Sequence, residues 1–329
     1  MSARARAGLG ASRRDSVDQQ ADGGGPDLSD GGIAAPTERS GWPAFWQSMK
    51  HRSRRSLLPI LAGLALPLDA LAQSRPSWRA GLQLYTVRDA LGADMEGTLR
   101  SVAAIGYREV ELAGLPGVSA QAMSASLKRH GLDAPSMHAG YDRLRGDFDS
   151  VLQEARILGA NYLVCPSVDA GERKTAADWK RVCQTLNRIG RAVRSHGLVL
   201  AYHNHDFEFA PFGDGTTPFH QLMTETDPRD VKLELDVYWV AKAGQDPVQY
   251  LKDGQDRILL VHLKDLATDG STTEVGGGVL DFERTIQAAL LAGVKHLFVE
   301  QDTSADPLAS VGASFRFLQQ LPADVRPRF

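Results

Sequence analysis

Four apolar stretches in the second half of the 329-residue chain each run into a side chain that can hold a metal ion. They are VLAYHNH (199–205), VKLELD (231–236), ILLVH (258–262) and HLFVE (296–300), and their polar ends are His203 or His205, Asp236, His262 and Glu300. Imidazole and carboxylate are the groups a divalent cation accepts. Two histidines with two carboxylates suit one Mn, Zn, Co or Fe ion, and suit Mg less because it prefers oxygen. Such an ion beside a carbonyl lowers the cost of forming an enediolate. A carboxylate or imidazole can then take the α-proton. Glu300 is the candidate base, and His203 is the second candidate catalytic residue.

These residues meet only if the fold brings four strand ends together. Eight strand–helix units can be counted. Strands are expected at 80–86, 108–113, 132–138 and 161–167, then at the four stretches above. Helices are expected near 94–105, 119–130, 147–158, 175–196, 217–225, 246–253, 282–292 and 307–320. Gly106, Gly131, Gly159, Gly197 and Gly293 each stand between a helix end and the next strand, where a positive φ is wanted. The expected architecture is a single (β/α)8 TIM barrel. An open doubly wound sheet is the rival, but no GxGxxG follows the first strand and eight units suit closure.

Barrel enzymes place their chemistry at strand C-termini. Those ends carry Gln83 and Tyr85, Glu111, His138, Cys165, His203 with His205, Asp236, His262 with Lys264, and Glu300 with Asp302. Strand alternation puts residues two apart on one face. His138, Lys264, Glu111, His205, Gln83 and Trp239 are the candidate substrate-binding residues. For His138 and Lys264 the roles are hydrogen bonds to substrate hydroxyls or proton relay, against a rim salt bridge or a solvated side chain. For Glu111 the alternative is a structural ion pair. Trp239 and Tyr238 floor a pocket or pack on a neighbouring helix. Asp206, Glu208 and Asp265 are expected behind the site or at the surface. The loop 263–281, with Gly276–Gly278, could cover it, but it is no phosphate loop, because it does not lead from a strand into a helix.

A net charge of −3 argues against nucleic acid as partner. The two cysteines, Cys165 and Cys183, match no zinc-ribbon spacing and are expected as buried free thiols. Residues 1–50 are rich in Gly, Ser, Asp and Arg and read as disordered or as an over-long start. Residues 51–72 carry Arg54-Arg55, an apolar run and a small-x-small site, the pattern of a twin-arginine-like signal peptide. The run is too short and broken for a stable membrane anchor. Cleavage after Ala72 leaves 73–329 as the catalytic domain, near the roughly 250 residues of such a barrel. The chain is then periplasmic or exported, with the export machinery as a partner. A homo-oligomer is compatible with the sequence.

GLQLYTVRD, SMHAG, LAYHNHDFEF, LELDVYW, VHLKD, EVGGGVLDF and FVEQD, in that order, resemble the sugar phosphate isomerase/epimerase family of xylose-isomerase-like TIM barrels. The resemblance covers nearly all of 79–320. It implies one divalent metal held by His203, Asp236, His262 and Glu300. Many relatives carry Glu where this chain has His203, and use two glutamates to move the substrate proton. The departure weakens that two-glutamate mechanism here. The resemblance implies a metal-dependent isomerase or epimerase acting on a keto-sugar or related polyol, a small-molecule carbohydrate. A lyase or dehydratase on a 3-keto sugar or inositol derivative is the alternative. A non-catalytic periplasmic sugar-binding protein and a DNA-repair endonuclease are further alternatives. The endonuclease conflicts with the acidic net charge.

Overall fold

A computed structural model describes residues 78–328. The expectations for 1–50 and 51–72 lie outside these residues.

Eight parallel strands close into a barrel: β1 (Ala80–Gln83), β2 (Glu109–Leu112), β3 (Asp133–His138), β4 (Tyr162–Cys165), β5 (Val199–His203), β6 (Val231–Asp236), β7 (Ile258–Leu263) and β10 (His296–Val299). Each pairs with its sequence neighbours around the ring, and β10 closes on β1 with Ala80 opposite Leu297. The intervening β8 (Asp265–Leu266) and β9 (Thr272–Thr273) form a small antiparallel pair inside the long loop.

The expected helices are present at Met95–Ile105, Ala120–His130, Phe148–Leu158, Ala176–Ser195, Pro218–Glu225, Pro247–Asp253, Phe282–Ala292 and Pro307–Gln320. Several begin on a side chain that caps an orphan N–H. Thr175 and Asp178 form a reciprocal box at the longest helix, and Asp306 accepts from the Ala309 N–H. The five predicted stop glycines all have positive φ. Three short helices, 88–93, 141–146 and 237–242, follow β1, β3 and β6 and were not expected. β1 also ends earlier than its apolar run, because Leu84–Val87 turns into a 3-10 segment capped by Gln83.

The apolar core between barrel and helices is continuous. A second cluster lies apart from it: Val164, Ala201, Leu260 and Phe298, all fully buried. Three of them stand two residues before a candidate ligand: Ala201 before His203, Leu260 before His262, Phe298 before Glu300. With a period of two these pairs share a face, so the cluster is an apolar plug beneath the polar strand ends. Gly81 completes it. A Cβ there would lie 2.3 Å from the Phe298 ring. Among the described residues no helix is long and apolar enough to cross a membrane, and Cys165 and Cys183 are buried free thiols.

Candidate metal and active site

The strand ends converge on one buried polar cluster in two layers. The upper layer holds Asp236, His262 and Glu300, whose nearest donor atoms lie within 4.8 Å of one another. His262 Nδ1 is 2.9 Å from Glu300 Oε2. His203 flanks this set, with Nε2 3.9 Å from Asp236 Oδ2. Three of the four predicted ligands thus meet directly, and the fourth approaches from the side.

Lys264 joins them from just past the end of β7, two residues beyond His262 and on the same face. Its ammonium lies 3.2 Å from Asp236 Oδ2, 2.9 Å from Glu300 Oε2 and 2.7 Å from Asp302 Oδ1. Of the alternatives for Lys264 the solvated side chain is excluded, since the residue is only 2% exposed and ion-paired. Asp236 divides its work. Oδ1 accepts the N–H groups of Tyr238 and Trp239, starting the helix 237–242, while Oδ2 faces Lys264.

The lower layer is a floor of two carboxylates and a histidine. Glu234 Oε2 lies 3.0 Å from His138 Nε2, 3.1 Å from His203 Nδ1 and 3.2 Å from His262 Nε2. Glu111 Oε2 lies 2.6 Å from His262 Nε2 and 3.2 Å from His138 Nε2, and accepts from Gln83 Nε2 at 2.8 Å. Ser136 Oγ donates to the other Glu111 oxygen. Glu234 Oε1 has no partner among the described residues. Glu111, Gln83 and His138 therefore sit beneath the ligands, tied to one another. Of Glu111's two expected roles, the structure displays the ion pair.

Glu234 was missed by sequence reasoning. The signal was available, since Glu234 stands two residues before Asp236 and alternation puts both on the inner face. It is also the exception to the plug, because the corresponding positions on β5, β7 and β10 are Ala201, Leu260 and Phe298.

Charge follows this geometry. Burial alone would lower His262, but Glu234, Glu300 and Glu111 outweigh it and hold the imidazole well above its usual value. Burial opposes charge on His138 too, and Glu111 with Glu234 overcomes it, raising the ring to about 10. His203 goes the other way: burial dominates and keeps it neutral. Burial pushes Asp236 up to about 6 against the pull of Lys264. Burial would raise Glu300 as well, but Lys264 and His262 hold it well below the usual carboxylate range. The same three carboxylates hold Lys264 charged despite burial.

Aromatic rings stand beside Lys264. Lys264 Nζ lies 5.4 Å from the Trp239 ring, and the His205 and Trp239 rings are 5.3 Å apart. Both His205 Nδ1 and Trp239 Nε1 are buried and unpartnered among the described residues. Burial lowers His205 to about 3, so its ring is neutral. Behind these rings Glu208 is fully buried. It accepts from Tyr202 Oη at 2.6 Å and from the His205 N–H at 2.8 Å. Asp265 is also fully buried. Its carboxylate accepts the N–H groups of Leu266, Gly276, Gly278 and Leu280 at 2.8–3.2 Å and pins the glycine-rich loop. A Cβ on Gly278 would meet Leu266 O at 2.3 Å, so this clamp requires glycine there. The Tyr238 hydroxyl donates to Gly270 O, joining the long loop to the aromatic rings beside Lys264.

Comparison with known proteins agrees with this architecture. The xylose isomerase-like TIM barrel family matches residues 99–321. An inosose dehydratase from Geobacillus thermodenitrificans is 31% identical over 152 residues, 39% of this chain and 49% of that protein. The chain thus spans about half the length of this curated relative. A sugar phosphate isomerase/epimerase from Parabacteroides distasonis is 25% identical, with a TM-score of 0.67 over 74% of this chain and 99% of that one. An IOLI protein solved with a zinc atom shares the fold at 14% identity and a TM-score of 0.60, over 73% of this chain and 96% of that one.

Proposed function

This chain belongs to the xylose isomerase-like TIM barrel family, and on that premise we propose a divalent-metal-dependent dehydratase. It removes the proton α to the carbonyl of a cyclic keto-polyol and then expels a β-hydroxyl as water. The observation that carries this is a carboxylate, Glu300, held 2.9 Å from a buried ammonium, Lys264.

The donor set fits a metal. Asp236, His262 and Glu300, with His203 beside them, offer two nitrogens and two oxygens, which suits Mn, Zn, Co or Fe. When bound, the ion supplies Lewis-acid stabilisation of the negative charge that develops on the carbonyl oxygen. Glu300, kept ionised by its neighbours, accepts the α-proton. Lys264 gives a proton to the departing hydroxyl, so that it leaves as water. The short Glu300–Lys264 contact returns the first proton to the lysine and resets the site. The Trp239 face gives a substrate ring something to lie against.

A syn elimination uses a base and an acid on one side, which Glu300 and Lys264 provide. The inosose dehydratase relatives support this order of readings. Epimerisation is the second reading, favoured by the likeness to the Parabacteroides distasonis isomerase/epimerase over nearly the whole of that chain. The two separate in D₂O with metal-loaded enzyme and a panel of cyclic keto-polyols. Dehydration gives a product lighter by one water, while epimerisation gives a product of unchanged formula carrying one deuterium. Neither product across the panel, with no exchange of the α-proton, would overturn both readings.

A further inference from the structure

On the four strands that carry the candidate ligands, the apolar plug beneath the strand ends is broken only on β6. Ala201, Leu260 and Phe298 fill the positions two residues below His203, His262 and Glu300. Below Asp236 stands Glu234, fully buried, with one oxygen unpartnered. Placing a carboxylate in such a layer is costly unless its hydrogen bonds have a use.

Its contacts show that use. A carboxylate only accepts hydrogen bonds, so an imidazole nitrogen against it must carry the hydrogen. Glu234 Oε2 faces His203 Nδ1 at 3.1 Å, which leaves His203 Nε2 as the nitrogen turned toward Asp236. Glu111 Oε2 faces His262 Nε2 at 2.6 Å, which turns the opposite nitrogen, Nδ1, toward Glu300. The two histidines thus present different nitrogens to the same place, and Glu234 backs both, since its Oε2 also lies 3.2 Å from His262 Nε2.

We propose that Glu234 is a positioning residue that fixes His203 as its Nδ1–H tautomer and holds its Nε2 lone pair ready for the cation. This rests on the upper layer being the metal seat. Partners of this kind orient metal-binding histidines, and their loss typically weakens metal affinity by about 10–100-fold. His138 sits between the two carboxylates, 3.0 Å from Glu234 and 3.2 Å from Glu111, and ties them into one floor.

The test uses two variants of the whole protein. Glu234→Gln keeps the shape but can donate toward His203, and Glu234→Leu extends the plug. Long-range ¹H–¹⁵N spectra of metal-free protein report the His203 tautomer directly. Calorimetric titration with Co²⁺ alone reports affinity. The expected result is the Nδ1–H form in wild type, its loss in both variants, and Co²⁺ binding weakened by about 10–100-fold. An unchanged tautomer in both variants overturns the proposal, as does affinity unchanged within twofold. If wild type takes up no Co²⁺, the metal reading fails, while the tautomer spectra still decide the role of Glu234.

Discussion

Lys264→Met removes a buried ammonium from three carboxylates without changing the volume much. Its nitrogen touches Asp236, Glu300 and Asp302 at 2.7–3.2 Å, and two of those partners are themselves buried. Stripping one partner from a buried ion pair typically costs about 3–5 kcal/mol. Asp302 is partly exposed and regains water, so its share is smaller. For a barrel of this size each kcal/mol moves Tm by about 2–4 °C, so metal-free Lys264→Met should melt roughly 10 °C lower than metal-free wild type. A divalent cation supplies the missing positive charge. Added Mn²⁺ or Co²⁺ should therefore raise the variant's Tm more than it raises that of wild type. At 100 Kd the wild-type gain is about 2.7 kcal/mol. Differential scanning fluorimetry with and without metal reads both effects. A metal-free variant melting within 2 °C of wild type, a tolerance of about 1 kcal/mol, would refute the role assigned to this ammonium. So would an equal metal-induced shift in both proteins.

Asp265→Ala should free the glycine-rich loop. Four backbone N–H groups lose their acceptor, and re-solvation limits the loss to about 3 kcal/mol. Limited proteolysis should then cut within 274–280 faster than in wild type, and an unchanged cleavage pattern would contradict the clamp. Glu208 gives a pH signature. Burial raises it from 4.5 to about 8, so between those values the folded chain binds a proton that the unfolded chain has lost. Stability must fall as pH rises from about 4.5 to about 8, by up to roughly 5 kcal/mol. Glu208→Gln should flatten that part of the Tm–pH curve, and an identical slope in the variant would remove Glu208 as its source.

The barrel was legible because helix stops and strand alternation are local signals. Gly106, Gly131, Gly159, Gly197 and Gly293 mark boundaries that the structure reproduces within a residue or two. The convergence of Asp236, His262 and Glu300 was legible too, since closure of the ring puts all strand ends on one face. Distances across the barrel were not. His203 stands 3.9 Å from Asp236 because its other nitrogen is drawn to Glu234, and nothing on β5 reveals that pull. Lys264 looked like a rim residue because its partners come from β6 and from the segment after β10. Glu234 was hidden because its strand, VKLELD, reads as an alternation aimed at Asp236. Only the apolar residues on the neighbouring strands make it stand out. Asp265 and Glu208 are buried through backbone N–H groups that turn back on them, a loop geometry no residue pattern announces.

Cation binding at the strand ends is the property on which the site's chemistry depends. Metal-stripped wild type and His262→Ala should be titrated with Mn²⁺ and Co²⁺ in a calorimeter, with circular dichroism to verify the barrel. Wild type should bind one ion per chain, and folded His262→Ala should bind none in the same range. Equal one-to-one binding by both proteins would contradict the placement of the ion among Asp236, His262 and Glu300.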